Sequence, residues 1–289
     1  MRKDGKRIRD VEPMYAIVPY IMKKRYDSMN MITVDIPIEP MRAYINKKRK
    51  EGRSVTHIGL IIAAYIRAMA EFPQLNRFIV NKKIYARNEV SVSMVVLRPG
   101  DDDGGTMSKI YFDVCDDIFA VQDQIDEYIG KNRYVEDGTG NSTDKMIKFL
   151  LSVPGLISFI VGLLKWMDKI GIMPKQIIDL SPFHASLLIS NLASIRANHI
   201  FHHVYEFGTT SVAITMGNMR EVPKRKKGEI EFERCLPLGV VMDERICSGS
   251  DYVRAFKKIE KYLADPTLLE GPPAVHNIEK VFGKEAKKK

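Results

Sequence analysis

The sequence predicts an α+β fold in which a mixed β-sheet packs against helices. Helical patterns come early in the chain and most of the strand patterns come late, so the order is not the regular alternation of a parallel βαβ series. The chain has 289 residues, of which 45% are hydrophobic and 28% are charged. These proportions are typical of an ordinary globular protein.

The first half of the chain combines three predicted strands with three predicted helices. Apolar–polar alternation predicts strands over residues 32–38, 89–97 and 109–114. Turn residues at 101–105 separate the second strand from the third. The predicted helices start at Pro40, at Ser54 or Thr56, and at Asp116 or Asp117. Residues 134–144 follow as a loop.

The second half is richer in strands and ends in one helix. Strands are predicted over residues 185–192, 210–216, 230–235 and 238–242, with a hairpin turn at 224–228. The last helix covers about 250–264 and is stopped by Asp265–Pro266. The predicted domain organisation is a flexible basic arm at 1–13, one domain at 14–270 and a basic tail at 271–289.

The net charge of +9 comes largely from three short basic runs, at residues 1–9, 224–227 and 284–289. Such runs are typical of a solvated surface, and they can also contact phosphate on a membrane or a ligand. No nucleic-acid-binding motif is present, so a nucleic-acid partner is not expected. The three scattered cysteines predict neither a disulfide framework nor a metal site. A charged N-terminus without an apolar signal core then favours the cytoplasm.

Residues 240–249 carry the most informative motif, Val-Val-Met-Asp-Glu-Arg-Ile-Cys-Ser-Gly. It resembles DHRxxDG, the catalytic signature of the dihydrolipoyl acyltransferases of 2-oxoacid dehydrogenases and of chloramphenicol acetyltransferase. Asp243, Arg245 and Gly249 match that signature. Glu244 stands where the general-base histidine belongs, and Ser248 stands where the second aspartate belongs. The motif therefore predicts an acyltransferase that lacks its base.

Three further segments, 67–76, 187–192 and 211–217, resemble the same family in the same order, so the resemblance covers about residues 16–269. It implies a two-layer α/β sandwich that assembles as a homotrimer, with the active site between subunits. It also implies coenzyme A or acyl-coenzyme A as substrate, with no metal. Ser190 matches the serine that stabilises the oxyanion, although a strand serine bonded to backbone is the alternative. Nothing resembles the family's lipoyl domain, so none is expected in this chain.

The replaced base predicts impaired catalysis, a pseudoenzyme. Ordinary carboxylates and thiols differ by about 4 pKa units, so moving a proton from thiol to carboxylate costs roughly 6 kcal/mol. An active enzyme that uses Glu244 or His203 as its base remains the alternative. Ser248 is interpreted as the N-cap of the last helix. The segment that supplies a partner arginine in the family matches residues 16–20, which contain no arginine.

An uncharged run at residues 149–164 lies in a predicted helical insertion at about 146–172. It is shorter than the roughly 20 residues needed to span a bilayer. A helix packed on the domain is the preferred interpretation. There are two alternatives. The helix lies on a membrane surface, which would make the protein a peripheral membrane protein, or it forms a wall of an acyl pocket.

Overall fold

A mixed seven-stranded sheet and a small three-stranded sheet organise the fold. The computed structural model describes residues 2–97, 105–133, 152–226 and 228–277. The predicted α+β class is confirmed, because helices and both sheets enclose a common apolar core. Predictions for the loops at 101–104 and 134–144, for the first residues of the insertion and for most of the basic tail lie outside these residues.

The large sheet has the strand order β2-β10-β8-β7-β5-β6, with β9 paired to β10. Its strands are β2 (Met29–Pro37), β5 (Val90–Leu97), β6 (Gly105–Phe112), β7 (Leu187–Asn191), β8 (Val212–Met216), β9 (Arg220–Lys226) and β10 (Glu229–Asp243). The pairs β5–β7 and β7–β8 are parallel and the others are antiparallel. The sheet is therefore mixed, as the sequence predicted.

Strand β10 is one continuous element where the sequence predicted two strands, at 230–235 and 238–242. Its first half forms a hairpin with β9, and its second half lies between β2 and β8. Pro237 interrupts the sequence pattern but sits within the strand, opposite Asp35. The strand ends at Asp243, so the centre of the sheet leads directly into the motif at 243–249.

The helices of the described residues are α1 (Pro13–Ile21), α2 (Ile38–Lys50), α3 (His57–Glu71), α4 (Ile118–Arg133), α5 (Leu156–Ile170), α6 (Lys175–Leu180) and α7 (Gly249–Ala264). Helix α3 is buried almost throughout because it is apolar on all sides. Of its two predicted caps, Thr56 is the one used, since its hydroxyl accepts from the Gly59 amide at 3.1 Å. Asp117 caps α4 in the same way.

The N-terminal arm is part of the fold, which corrects the prediction of a flexible segment at 1–13. Residues Gly5–Arg7 form β1, which pairs with β4 (Lys83–Arg87), and β4 pairs with β3 (Arg77–Val80). Arg2 and Asp4 are both buried and form an ion pair at 2.8 Å. Short-range patterns in a charged segment gave no sign of this pairing, because its partners lie more than 70 residues away.

Helix α5 presents one apolar stripe to solvent, while the side that carries Asp168 is half-buried, so the predicted packing of this helix on the domain holds for one side only. Four apolar side chains recur at helical spacing and are 42–68% exposed: Phe159, Leu163, Trp166 and Ile170. Asp168 lies on the opposite face and is the buried residue of the helix. No helix among the described residues is long and apolar enough to cross a membrane.

A buried charge cluster fastens α5 to the body of the protein. The Arg2 guanidinium contacts Asp168 at 2.6 Å and also donates to the Asp168 carbonyl. Burial alone raises the pKa of the Asp168 carboxyl, but the His184 imidazole, 3.6 Å away, and the Arg2 charge outweigh burial and lower that pKa. Asp168 therefore stays ionised at neutral pH, and it holds the side of the helix on which it lies against the protein.

We expect Asp168→Asn to loosen α5. The substitution removes one of the two carboxylates that bind the buried Arg2 guanidinium, and we expect it to cost about 1–3 kcal/mol in the free energy of unfolding. Urea unfolding and the rate of tryptic cleavage after Lys165 or Lys169 measure the change. Because the folded pKa of Asp168 is lowered, its contribution is complete above the ordinary Asp pKa and disappears as pH falls through the folded pKa.

The matched control is Asp123→Asn on the exposed surface of α4, which we expect to change stability by less than about 0.5 kcal/mol. Equal unfolding free energies and equal cleavage rates for the two variants would show that Asp168 does not attach α5 to the rest of the protein.

Candidate active site

The motif of residues 243–249 forms the turn between β10 and α7, and its central group is the carboxylate of Asp243. Asp243 is fully buried. Arg245 binds both of its oxygens, with Nε 2.8 Å from Oδ1 and Nη2 2.7 Å from Oδ2. The Arg245 amide and the Ser28 hydroxyl donate to the same Oδ1. The turn is therefore held by a buried bidentate salt bridge between Arg245 and Asp243.

A second guanidinium, that of Arg25, reaches the same carboxylate. Arg25 Nε lies 3.5 Å from Asp243 Oδ2, and its Nη1 donates to the carbonyls of Tyr205 and Gly208. Burial lowers the pKa of Arg25, and the negative charge of Asp243 opposes that effect. One carboxylate thus serves two buried cations, so the centre carries a net positive charge.

Arg25 was not predicted from the sequence as a residue of this site. The expected position of an N-terminal arginine was residues 16–20, but those residues belong to α1, and the arginine comes in the turn that follows. Its partner is Asp243, not the second aspartate of the signature. A basic residue next to the start of β2 was the only signal in the sequence, and several other lysines and arginines share that property.

Glu244 lies next to this centre and is half-buried. Its amide donates to the Ser28 carbonyl at 2.8 Å, which fixes the backbone of the turn. Its carboxylate forms no hydrogen bond or ion pair with any residue that the structure describes. A general base needs a partner that holds it in a productive orientation. Within the described chain Glu244 has none.

Ser248 is the N-cap of α7, as the sequence predicted. Its hydroxyl accepts from the Asp251 amide at 3.0 Å and lies 2.7 Å from the Ser250 hydroxyl. A serine at this position preserves the cap and removes the negative charge of the aspartate found in the signature. The start of α7 therefore does not depend on that charge.

Ser190 lies on β7 and is half-buried. Its hydroxyl forms no hydrogen bond to the backbone or side chains of the described residues, so the alternative of a backbone-bonded serine is not what the structure contains. Ser190 pairs with Thr215 on β8, and Thr215 pairs with Gly239 on β10. From Gly239 to Asp243 is about 13 Å along the strand, and two strand spacings add about 10 Å across the sheet. Ser190 and the turn are then about 16 Å apart within one chain.

His203 is exposed on a loop that the fold brings to the same end of the sheet as Glu244. The amide of Val204 contacts Met29 Sδ at 3.4 Å, and Met29 pairs with Asp243. His203 stacks on His202 with 5.0 Å between ring centroids and has no carboxylate partner among the described residues.

The thiols and the metal-binding residue types contribute no second site in the described part of the chain. Burial raises the pKa of Cys247 to about 12, so this thiol remains protonated and unreactive although it lies in the motif. Cys235 is also buried, and Cys115 is exposed. No group of three or more His, Cys, Asp or Glu residues is arranged to hold a metal ion among the residues described.

Comparison with known proteins identifies the class of this fold and turn. The family described as 2-oxoacid dehydrogenases acyltransferase (catalytic domain) matches residues 184–270, which include Ser190 and the whole motif. A comparison with curated protein sequences found no match.

Among solved structures, the cubic core of the pyruvate dehydrogenase multienzyme complex is similar over 91% of this chain and 94% of that chain, with 15% identity and a TM-score of 0.58. A probable dihydrolipoamide acetyltransferase from Listeria monocytogenes is similar over 88% and 94%, with 15% identity and a TM-score of 0.55. A chloramphenicol acetyltransferase is similar over 90% and 99%, with 11% identity and a TM-score of 0.53.

The predicted resemblance is confirmed. The chain has the chloramphenicol acetyltransferase-like fold, and its C-terminal part carries the sequence pattern of the acyltransferase catalytic domain. At pairwise identities of 11–15%, the similarity shows a shared fold and does not identify a substrate.

We expect Asp243→Ala to destabilise the protein severely. It leaves two buried guanidinium groups without their carboxylate, and removal of one partner from a buried ion pair typically costs roughly 3–5 kcal/mol. The soluble yield and the urea midpoint measure the effect, and the isosteric Asp243→Asn provides a milder variant. Glu244→Gln, at the next residue, is the control and should stay within about 0.5 kcal/mol. If Asp243 and Glu244 variants unfold at the same urea concentration, the buried centre does not hold the turn.

Proposed function

We propose that this protein derives from coenzyme A-dependent acyl transfer, from a thioester to a thiol or hydroxyl acceptor, and that its catalysis is impaired. The observation that carries the proposal is the state of the turn. Its buried scaffold of Asp243 and Arg245 is complete, whereas the position of the base holds Glu244, which has no orienting partner among the described residues. The family pattern over residues 184–270 supports acyl transfer as the ancestral chemistry.

The chemical argument for impairment concerns the proton of the acceptor. In this reaction a base takes the proton from the attacking thiol, and a hydrogen-bond donor stabilises the oxyanion. A histidine becomes a cation that attracts the new thiolate, whereas a carboxylate becomes neutral and, before it is protonated, repels the thiolate. The hydroxyl of Ser190, which has no hydrogen-bond partner in the described part of the chain, is suited to the oxyanion. The base is therefore the missing component of the site.

An active enzyme is the alternative, with Glu244 or His203 as the base. Two features favour it: His203 is exposed near the turn, and the Glu244 carboxylate is free of ion pairs with described residues. Against it, neither His203 nor the Glu244 carboxylate has a partner among the described residues that would orient it as a base. These features leave the impaired enzyme as the better-supported function.

We further propose that the protein assembles as a homotrimer with the site shared between subunits. The separation of about 16 Å between Ser190 and the turn supports this, because one reacting thioester group cannot contact both within a chain. The β9–β10 hairpin also carries two strongly exposed apolar side chains, Ile230 and Phe232, at 70% and 68%. Exposed apolar side chains on a projecting hairpin are typical of an interface between subunits.

A peripheral contact with a membrane surface is a second candidate role, favoured by α5. Its outward apolar stripe contains Trp166, the single tryptophan of the chain, and lysines lie beside the stripe. Aromatic and apolar side chains next to lysines are suited to the boundary between lipid headgroups and acyl chains. The vesicle experiment given below for the neighbouring pocket also measures this contact.

We expect Glu244→His combined with Ser248→Asp to raise acetyl transfer from acetyl-coenzyme A to a small dithiol. Positioned acid–base catalysis typically contributes about 10²–10⁴-fold, so the gain should stand clear of the background rate. Adding Ser190→Ala should remove part of the gain because the oxyanion loses a donor. Thiol release followed in a spectrophotometer measures the rates.

The control is Glu244→Gln, which removes the carboxylate without supplying a base and should leave the low starting rate unchanged. A fast unmodified protein that slows on Glu244→Gln or Glu244→His would make Glu244 a catalytic residue and overturn the impaired-enzyme proposal. A repaired protein that binds coenzyme A and gains no rate would instead remove Ser190 from the site.

The trimer is tested by light scattering on the purified protein. We expect the mass of a trimer, or of a multiple of one, at micromolar concentration. Ile230→Ser combined with Phe232→Ser should weaken the assembly if the hairpin lies in the interface. The same double change on the membrane-facing candidate, Phe159→Ser with Leu163→Ser, is the matched control. A stable monomer of the unmodified protein excludes a shared site.

A further inference from the structure

A basic pocket lies between the buried centre, the tip of the β3–β4 hairpin and helix α5. Its volume is about 340 Å³, which is in the range of sites that hold small organic ligands. Among the described residues that line it, six side chains are cationic: Lys23, Arg25, Lys82, Lys165, Lys169 and Arg245. Two are anionic, Asp168 and Glu206, so the lining carries a formal excess of four positive charges.

The two carboxylates of the pocket are already engaged, so they do not neutralise the lysines. Asp168 is held by Arg2 at 2.6 Å. Glu206 accepts a hydrogen bond from the Arg25 amide at 2.8 Å. Behind the wall, Asp243 already serves two guanidinium groups. With the negative charge of Asp243 counted as well, a formal excess of three positive charges remains around the pocket.

The lysines reach the pocket from three separate segments, which spreads their charge around its mouth. Lys165 and Lys169 come from α5, and Lys23 comes from the turn after α1. None of these three forms an ion pair with another described residue. Lys82 sits at the hairpin tip, where its ammonium lies 5.0 Å from the Tyr20 ring centroid. An anion in the pocket can thus be approached by ammonium groups from several sides.

Ile79, Val80 and Phe207 give the pocket an apolar wall, and Asn81 and Gly208 complete the lining among the described residues. A site for a bare inorganic ion has no need of such a wall, whereas an organic ligand with a charged group uses both surfaces. Several cations around one cavity suit a group with more than one negative charge, which a single carboxylate does not have.

We propose that this pocket is a binding site for an organic phosphate, a phosphomonoester or diphosphate attached to a partly apolar group. The proposal does not depend on acyl transfer, because the pocket is built on α5 and the hairpin and uses none of Glu244, Ser190 or Ser248. The phosphate can belong to a soluble ligand or to a lipid headgroup presented beside the exposed stripe of α5, and the two sources differ in their experimental signature.

Binding is tested by calorimetry with inorganic pyrophosphate and with coenzyme A, and by flotation with two kinds of vesicle. The vesicles contain phosphatidylcholine alone or phosphatidylcholine mixed with phosphatidic acid. The emission of Trp166 gives an independent readout, because it shifts to the blue when α5 enters a lipid surface. Binding of pyrophosphate or coenzyme A supports a soluble source, and binding to acidic vesicles alone supports a lipid source.

The decisive comparison is between two double charge reversals that change the net charge equally. Lys165→Glu with Lys169→Glu removes the pocket charge, and we expect affinity to fall at least tenfold. Lys47→Glu with Lys50→Glu lies on the exposed surface of α2, outside the pocket, and should change affinity less than about threefold. Lys82→Glu repeats the test from the hairpin, in case the changes in α5 disturb that helix.

Failure of every probe to bind, or equal losses for the pocket and α2 variants, overturns the proposal, since equal losses mean a general attraction of anions to a basic protein. Acetyl transfer by the Glu244→His variant is a separate measurement, so failure of the pocket and failure of the acyltransferase proposal are distinguishable.

Discussion

The carboxylate of Asp243, shared by two buried guanidinium groups, is the interaction on which the rest of the structure depends. It joins four parts of the chain: the end of β10, the turn with Arg245, the segment with Arg25 before β2, and the loop whose carbonyls accept from Arg25. The hydroxyl of Tyr252 bonds to the Asp243 carbonyl and adds α7 to the same centre. Because the carboxylate is out of water, each missing partner leaves a buried charge, and the geometry of the whole end of the sheet is fixed by this one group.

This centre explains how the turn can keep its shape while its chemistry changes. Asp243 and Arg245 point into the protein and are occupied with each other, whereas Glu244 lies at the edge and bonds to the protein through its amide. The side chain of residue 244 is thus not needed for folding. The cap at Ser248 likewise needs an oxygen acceptor and not a charge. The buried scaffold and the side chain at position 244 are therefore separate requirements.

The same separation applies to α5. Its one buried residue is Asp168, whose carboxylate is bound to Arg2, and the apolar side chains Phe159, Leu163, Trp166 and Ile170 on the other side face outward. That arrangement places Lys165 and Lys169 against the basic pocket and leaves the apolar stripe available to a partner. Because one apolar side of the helix stays exposed, α5 departs from the usual pattern in which the apolar face packs on the core.

The sequence by itself determined the fold class, most of the strands, the helices α3 and α7 and the identity of the turn. These features are local, since alternation, helical spacing and caps arise between residues that are near each other in the chain. Motif order likewise located Ser190 and Glu244. The tertiary structure alone decided the pairing of β1 with β4, the role of Arg25 and the direction of the apolar face of α5. Each of these depends on a charge or a strand edge supplied from a distant segment: Arg25 finds Asp243 across more than 200 residues, and Asp168 finds Arg2 across 166. A hydrophobic pattern shows which side of a helix is apolar but not which element packs against that side. A buried ion pair forms only when folding brings both partners together out of water.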